Sequence, residues 1–414
     1  MTVTLHVAPV VLPVSAPPVR DGAVAVADGR IRWVGHRREW TDAAEVVEWR
    51  GLLGPGLVNA HTHLQYTAYA DMCRPGVDFL DWIGRFVPRN RTMTGDGWRA
   101  STEAGVAELV RTGTTAVADV TAHGVAVDVL AGSGLAGISY VEAVGADEAI
   151  WPARRERLLS LVDRPPPRRL GISPHTLYTL GSGVVRDCVA LARARGLRLH
   201  PHAAESPYEV EYVASGTGPF ARANLGYGLA MELQASGGSA RTPVAELGEL
   251  GGLGPDVHVA HGVHCDAADR ALLRATRTAI TLCPRSNRGL GVGAAPVAAY
   301  RAEGNLIAVG TDSRASAPSL DLLADLAELR ETALRQGSPP AGLARWLVEA
   351  ATIGGAAAMG LDDVGALRPG ARADLAVFAV DPEPDPYEAL AGAAGRCAGT
   401  VLSGRIVHDA RRDP

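Results

Sequence analysis

The 414-residue chain contains no lysine: all 40 of its basic residues are arginine. That absence removes several chemistries. A phosphate-binding P-loop sets a lysine on the phosphates, and pyridoxal phosphate enzymes and Schiff-base aldolases need a lysine amine. A binuclear metal site bridged by a carboxylated lysine is excluded as well. Cysteine is scarce: Cys73, Cys188, Cys265, Cys283 and Cys397 are scattered, odd in number and form no CxxC pair, so neither a disulfide framework nor a thiolate zinc site is expected. Reduced thiols fit the cytoplasm. Positive charge is not in excess, and a net charge of -5 argues against a broad nucleic-acid-binding face. No apolar run reaches the roughly 18 residues that cross a bilayer, and the opening MTVTLHVAPVVLPV lacks the basic stretch of a signal peptide. These absences lead to the expectation of a cytoplasmic protein with neither nucleic acid nor membrane as partner.

With 47% hydrophobic and 21% charged residues, the chain has the composition of a globular protein with room for a substantial core. Its two ends read alike. VTLHVAPVVL, GAVAVADGRIRWVGH and AEVVEWRG near the start, and RADLAVFAV and GTVLSGRIVHDA near the finish, are β-rich. Neither end can bury much core alone, so residues 1–55 and 365–414 are expected to meet as one small composite β-sandwich. Between them, strands alternate with helical patterns, which argues for parallel β/α architecture. Candidate strands cover residues 57–63, 115–120, 136–144, 170–176, 197–205, 257–263, 278–284 and 306–312. Eight strand–helix units over residues 56–364 predict a distorted (β/α)8 barrel with its active site at the strand C-terminal ends.

Polar residues at those ends should then converge in space. PGLVNAHTH, at 55–63, puts His61 and His63 at positions i and i+2 of a strand, on one face. An isolated HxH is as readily one core histidine and one surface histidine. The other strand ends tip the balance: His202 with Glu205 three residues on, His261 in VAHGVH, and Asp312 in VGTDS. Imidazoles with a carboxylate suit a divalent zinc or iron centre that keeps a position open for water. His200 shares a face with His202 and is the alternative ligand, otherwise read as an inward barrel residue one layer deeper. His258 and His264 read as structural histidines, and His6, His36 and His408 as surface residues of the sandwich.

The motifs PGLVNAHTH, HPHAAES, VAHGVH, CPRSN and VGTDS, with the late PGARADLAVF, resemble the amidohydrolase superfamily, in its mononuclear deaminase and chlorohydrolase branch. The resemblance runs from about residue 20 to residue 408. It implies one divalent metal ion per chain, zinc expected and iron compatible, held by His61, His63, His202 and Asp312, with Glu205, His261 and Asp312 as catalytic residues. The absent lysine fits the one-metal branch. The implied reaction is hydrolytic loss of ammonia, and Glu205 favours it over amide or carbon–chlorine cleavage, because a proton donor beside a ring nitrogen is most useful in attack on an aromatic amidine.

For the substrate, Gln65, two residues past His63, is suited to hydrogen-bond a ring nitrogen or sugar hydroxyl, His175 ends the fourth strand facing the same cavity, and Arg285 with Asn287 ends the seventh, the guanidinium suited to a carboxylate. FLDWIGRFVPRNR, at 79–91, reads as a lid-like helix whose Trp82 can stack on a base. The motifs look most similar to aminodeoxyfutalosine deaminases of the alternative menaquinone pathway, which act on a 6-aminopurine nucleoside carrying a carboxylate. Deaminases of S-adenosylhomocysteine or methylthioadenosine, guanine deaminase and triazine hydrolases are the alternatives. A catalytically dead binding scaffold would require loss of a ligand or of the acid–base pair, and all are present. A homodimer is the common outcome for symmetric assemblies.

Overall fold

Pro55 and Gly56 mark the place where the chain leaves one sheet and enters another. In the computed structural model, which describes residues 2–74, 76–165 and 168–412, Leu52–Pro55 lies within an eight-stranded sheet and Leu57–Thr62 is the first strand of a barrel. Glycine is needed at the junction, since a Cβ on Gly56 would stand 2.0 Å from Thr115 Oγ1, well inside contact distance.

The eight-stranded sheet takes Thr4–Val11, Val19–Ala27, Arg30–His36, Glu45–Glu48 and Leu52–Pro55 from the early chain and Leu375–Phe378, Cys397–Leu402 and Arg405–Asp409 from the late chain. Its halves join where Leu52–Pro55 pairs antiparallel with Leu375–Phe378. Ala8, Val11, Leu53, Leu375, Val377 and Val401 share one buried cluster, so each end completes the other's core. His6 corrects the expectation of a surface residue. It is fully buried, and its Nδ1 accepts a hydrogen bond from Trp49 Nε1 at 3.0 Å. Burial lowers its pKa to about 4.

The barrel strands are Leu57–Thr62, Thr114–Thr121, Ala136–Ala143, Arg169–Pro174, the pair Arg198–Leu199 and His202–Ala203, then His258–His261, Ala279–Leu282 and Ile307–Val309. Their pairings are parallel. Parallel bridges Leu199↔Val257 and Thr62↔Asp312 carry the ladder across the two remaining gaps. The fifth strand is not the continuous run predicted over 197–205. Pro201 has no N–H for the ladder, and it interrupts the strand while its carbonyl still accepts from Ala260 N at 2.9 Å. Helices cover the outside; Leu322–Arg335 buries Leu322, Leu323, Leu326 and Leu329, and Asp321 caps its start by accepting from Leu323 N. Among the described residues no helix is long and apolar enough to cross a membrane.

Candidate active site

The first and eighth barrel strands run close together at their C-terminal ends, and Gly310 permits it: a Cβ there would lie 2.6 Å from His61 Cβ. Asp312 N donates to His61 O at 2.9 Å. The carboxylate of Asp312 thereby meets both histidines of the first strand, with Oδ1 at 3.5 Å from His61 Nε2 and 3.8 Å from His63 Nε2. From the fifth strand, His202 Nε2 comes to 3.3 Å from His63 Nε2. Donor atoms of His61, His63 and Asp312 lie within 4.8 Å of one another, as do those of His61, His202 and His261. All five residues are buried.

Whether this cluster fits a cation is decided by where the ring protons sit, and their partners assign them. His202 Nδ1 faces His175 O at 3.2 Å, and His261 Nδ1 faces Asn287 Oδ1 at 2.9 Å. Acceptors there require the proton on Nδ1, which leaves the Nε2 lone pairs turned inward. His61 Nδ1 stands 2.8 Å from His200 Nε2, whose own Nδ1 is 2.8 Å from His258 O. That chain again puts the proton on His61 Nδ1, and His61 Nε2 has no hydrogen-bond partner. Burial lowers the pKa of His61, of His63 to about 3 and of His202 well below its usual value, so these rings are neutral. Neutral imidazoles with converging lone pairs beside a carboxylate form a divalent-cation donor set.

Asp312 is prepared for the same role. Ser286 and Ser316 hydroxyls donate to its Oδ2 at 2.6 and 3.0 Å, which fixes the group and leaves Oδ1 facing the histidines. Both Asp312 and His261 adopt left-handed backbone, with φ of 60° and 76°, a conformation non-glycine residues hold only where surrounding contacts impose it. Across the cluster, Glu205 Oε1 lies 3.6 Å from His261 Nε2. Burial raises the Glu205 pKa, so the carboxyl retains a proton more readily than a free glutamate.

Two of the expected substrate contacts are engaged by other residues of the protein. Arg285 is buried and tied to Asp325 Oδ2 by Nη2 at 2.8 Å and Nε at 3.0 Å, to Ser319 Oγ at 2.8 Å and to Ser319 O at 2.7 Å. Most donors of this guanidinium are thus held within the protein. Asn287 instead orients His261 through its side-chain oxygen. His175 lies beside His202, with ring centroids 4.9 Å apart. Gln65 accepts from Thr121 Oγ1 at 2.5 Å, while its buried Nε2 has no protein partner. Trp82, on helix Phe79–Asn90, stacks on Phe86 at 4.7 Å and donates from Nε1 to Ala315 O at 2.9 Å, pinning the helix to the loop after Asp312. Sequence reasoning missed Ser286 and Ser316, although both lie inside or next to the CPRSN and VGTDS motifs.

The chain resembles proteins of known activity along most of its length. It is 34% identical over 376 residues, 87% of this chain and 80% of the relative, to a 5-methylthioadenosine/S-adenosylhomocysteine deaminase of Nitratidesulfovibrio vulgaris. It is also 34% identical over 356 residues, 82% of this chain and 81% of the relative, to an aminodeoxyfutalosine deaminase of Deinococcus radiodurans. An adenosine deaminase from Xanthomonas campestris, solved with bound zinc, superposes with a TM-score of 0.83 at 25% identity, covering 99% of this chain and 93% of that one. The fold is shared with the Helicobacter pylori aminofutalosine deaminase, solved with methylthio-coformycin, at a TM-score of 0.85 and 21% identity over 98% of this chain and 100% of that one. The amidohydrolase family model matches residues 52–407. The chain is a metal-dependent hydrolytic deaminase, and it belongs to the amidohydrolase family.

Proposed function

We propose that the chain removes ammonia from a 6-aminopurine nucleoside, and that its substrate is aminodeoxyfutalosine of the alternative menaquinone route. The observation that carries the nucleoside reading is the buried Glu205–His261 pair, 3.6 Å apart, facing Asp312 across the donor cluster. His61, His63, His202 and Asp312 would hold one divalent ion, zinc or iron. Such an ion, when bound, supplies a nucleophile at neutral pH by lowering the pKa of water to about 7. Asp312 accepts a proton through Oδ1, because Ser286 and Ser316 hold Oδ2. Glu205 holds a proton for the ring nitrogen beside the carbon under attack and then assists transfer to the departing amine. His261, fixed by Asn287, turns its Nε2 lone pair inward to accept a hydrogen bond from the attacking water.

The tail of the substrate is the finer part of the reading. With Arg285 committed to Asp325, Arg154 and Arg157 remain for a carboxylate: they line a small cavity with Ala122 and Val144 at the ends of the second and third strands, and neither has an ion pair among the described residues. The alternative is a methylthioadenosine or S-adenosylhomocysteine deaminase, favoured by the Nitratidesulfovibrio relative. Ammonia release by the zinc-replete protein tests both, with adenosine, methylthioadenosine, S-adenosylhomocysteine and aminodeoxyfutalosine compared by kcat/KM. The proposal expects aminodeoxyfutalosine to lead, and equal efficiency on plain adenosine overturns the carboxylate argument.

A further inference from the structure

Glu142 ends the third barrel strand and takes no part in the chemistry described above. Its side chain is only 6% exposed, and Oε1 has no hydrogen-bond partner. His175 Nε2 stands 4.0 Å from Oε1, beyond hydrogen-bond reach. A Glu142 oxygen, a His175 ring nitrogen and a His202 ring nitrogen lie within 4.8 Å of one another, so the carboxyl looks into the cavity beside the donor cluster. Leaving such a group unsatisfied costs on the order of 1–3 kcal/mol, and buried polar atoms are rarely left so without a reason. The neighbours Val141 and Ala143 belong to the apolar core behind the strand, and packing alone would be served by an apolar side chain at 142.

Its surroundings also select the kind of partner. Glu142 lines the same small cavity as Arg154 and Arg157, so an anionic part of the ligand goes to the arginines and the carboxyl is left for a neutral polar one. A carboxyl accepts hydrogen bonds and, when protonated, also donates one. We infer that Glu142 is a specificity-determining residue that hydrogen-bonds a neutral polar atom of the bound nucleoside, a ring nitrogen or a sugar hydroxyl, on the side of the cavity marked by His175. This rests on the nucleoside reading proposed above.

The test compares wild type, Glu142→Gln and Glu142→Ala, all zinc-replete, on the nucleoside that wild type turns over best and on its 3-deaza, 7-deaza, 2′-deoxy and 3′-deoxy analogues. Glu142→Ala raises KM about tenfold, the loss of one hydrogen bond, and changes kcat far less, with zinc content retained. Glu142→Gln recovers most of that loss. One analogue costs wild type a similar factor and costs the alanine variant nothing more, and that coupling identifies the contacted atom. If every analogue costs both proteins the same factor, or if Glu142→Ala loses a second bound zinc equivalent, the inference is overturned and the nucleoside reading stands. If wild type releases ammonia from no nucleoside, both fall together. Glu142→Asp, which withdraws the carboxyl by one methylene, carries the same comparison should the alanine variant not fold.

Discussion

Replacing His200 with alanine should weaken metal binding although His200 is not among the proposed ligands. His200 Nε2 accepts from His61 Nδ1 at 2.8 Å, and His200 Nδ1 donates to His258 O at 2.8 Å. The ring is fully buried and stacks on His258 at 3.8 Å, so no water replaces it easily. Without it, His61 keeps a buried N–H with no acceptor, which costs about 1–3 kcal/mol. His61 can then rotate, or shift its proton to Nε2 and lose the lone pair that faces Asp312. Partners of this kind typically account for a 10- to 100-fold difference in metal affinity, a range that agrees with the hydrogen-bond cost. The assay is zinc competition against a chelator of known affinity, using metal-free protein at neutral pH. His200→Ala should bind zinc 10- to 100-fold more weakly, and His200→Gln, whose side-chain oxygen reaches toward the same position as Nε2, should recover most of the affinity. Equal zinc affinity in His200→Ala and wild type would refute the argument that this hydrogen-bonded chain sets the His61 tautomer.

Three further outcomes are expected. Arg285→Ala leaves Asp325 buried without its cation and should destabilise the fold by about 3–5 kcal/mol, read from urea midpoints, while changing KM equally for carboxylated and plain nucleosides; a selective rise for the carboxylated compound would reinstate Arg285 as its partner. Glu205→Gln should lower kcat by roughly 10² to 10⁴-fold with zinc content unchanged, and near-normal turnover would mean that another group carries the proton. For His6, the folded pKa is depressed from 6.5 to about 4, so the unfolded chain takes up a proton that the folded chain refuses. Its contribution is complete above pH 6.5 and is lost as pH falls toward 4, on the order of 3 kcal/mol. His6→Gln should flatten that acid limb of the stability curve, and an unchanged slope would place the acid sensitivity elsewhere.

Strand periodicity and motif spacing were enough to read the barrel and its convergent residues directly from the chain. Alternation fixes which side chains share a face, and parallel strands with helical crossovers fix which ends gather, so His61, His63, His202, His261 and Asp312 could be named together before any coordinates. The break at Pro201 escaped because a single proline within an otherwise apolar run does not announce that neighbouring strands will supply its pairing. The burial of His6 escaped because nothing local indicates that Trp49, 43 residues away, covers it. The pairing of Arg285 with Asp325 escaped for the same kind of reason. An arginine at a strand end offers the same five donors whether it meets a ligand or a buried aspartate, and only the packing of the helix bearing Asp325 decided between them. What the order of residues determined by itself was the set of donors and the end of the barrel where they meet, because those follow from backbone periodicity. The tertiary structure alone decided which nitrogen of each ring faces inward, which polar groups are already satisfied and which, like Glu142 Oε1, are left open, because hydrogen-bond satisfaction depends on neighbours distant in sequence.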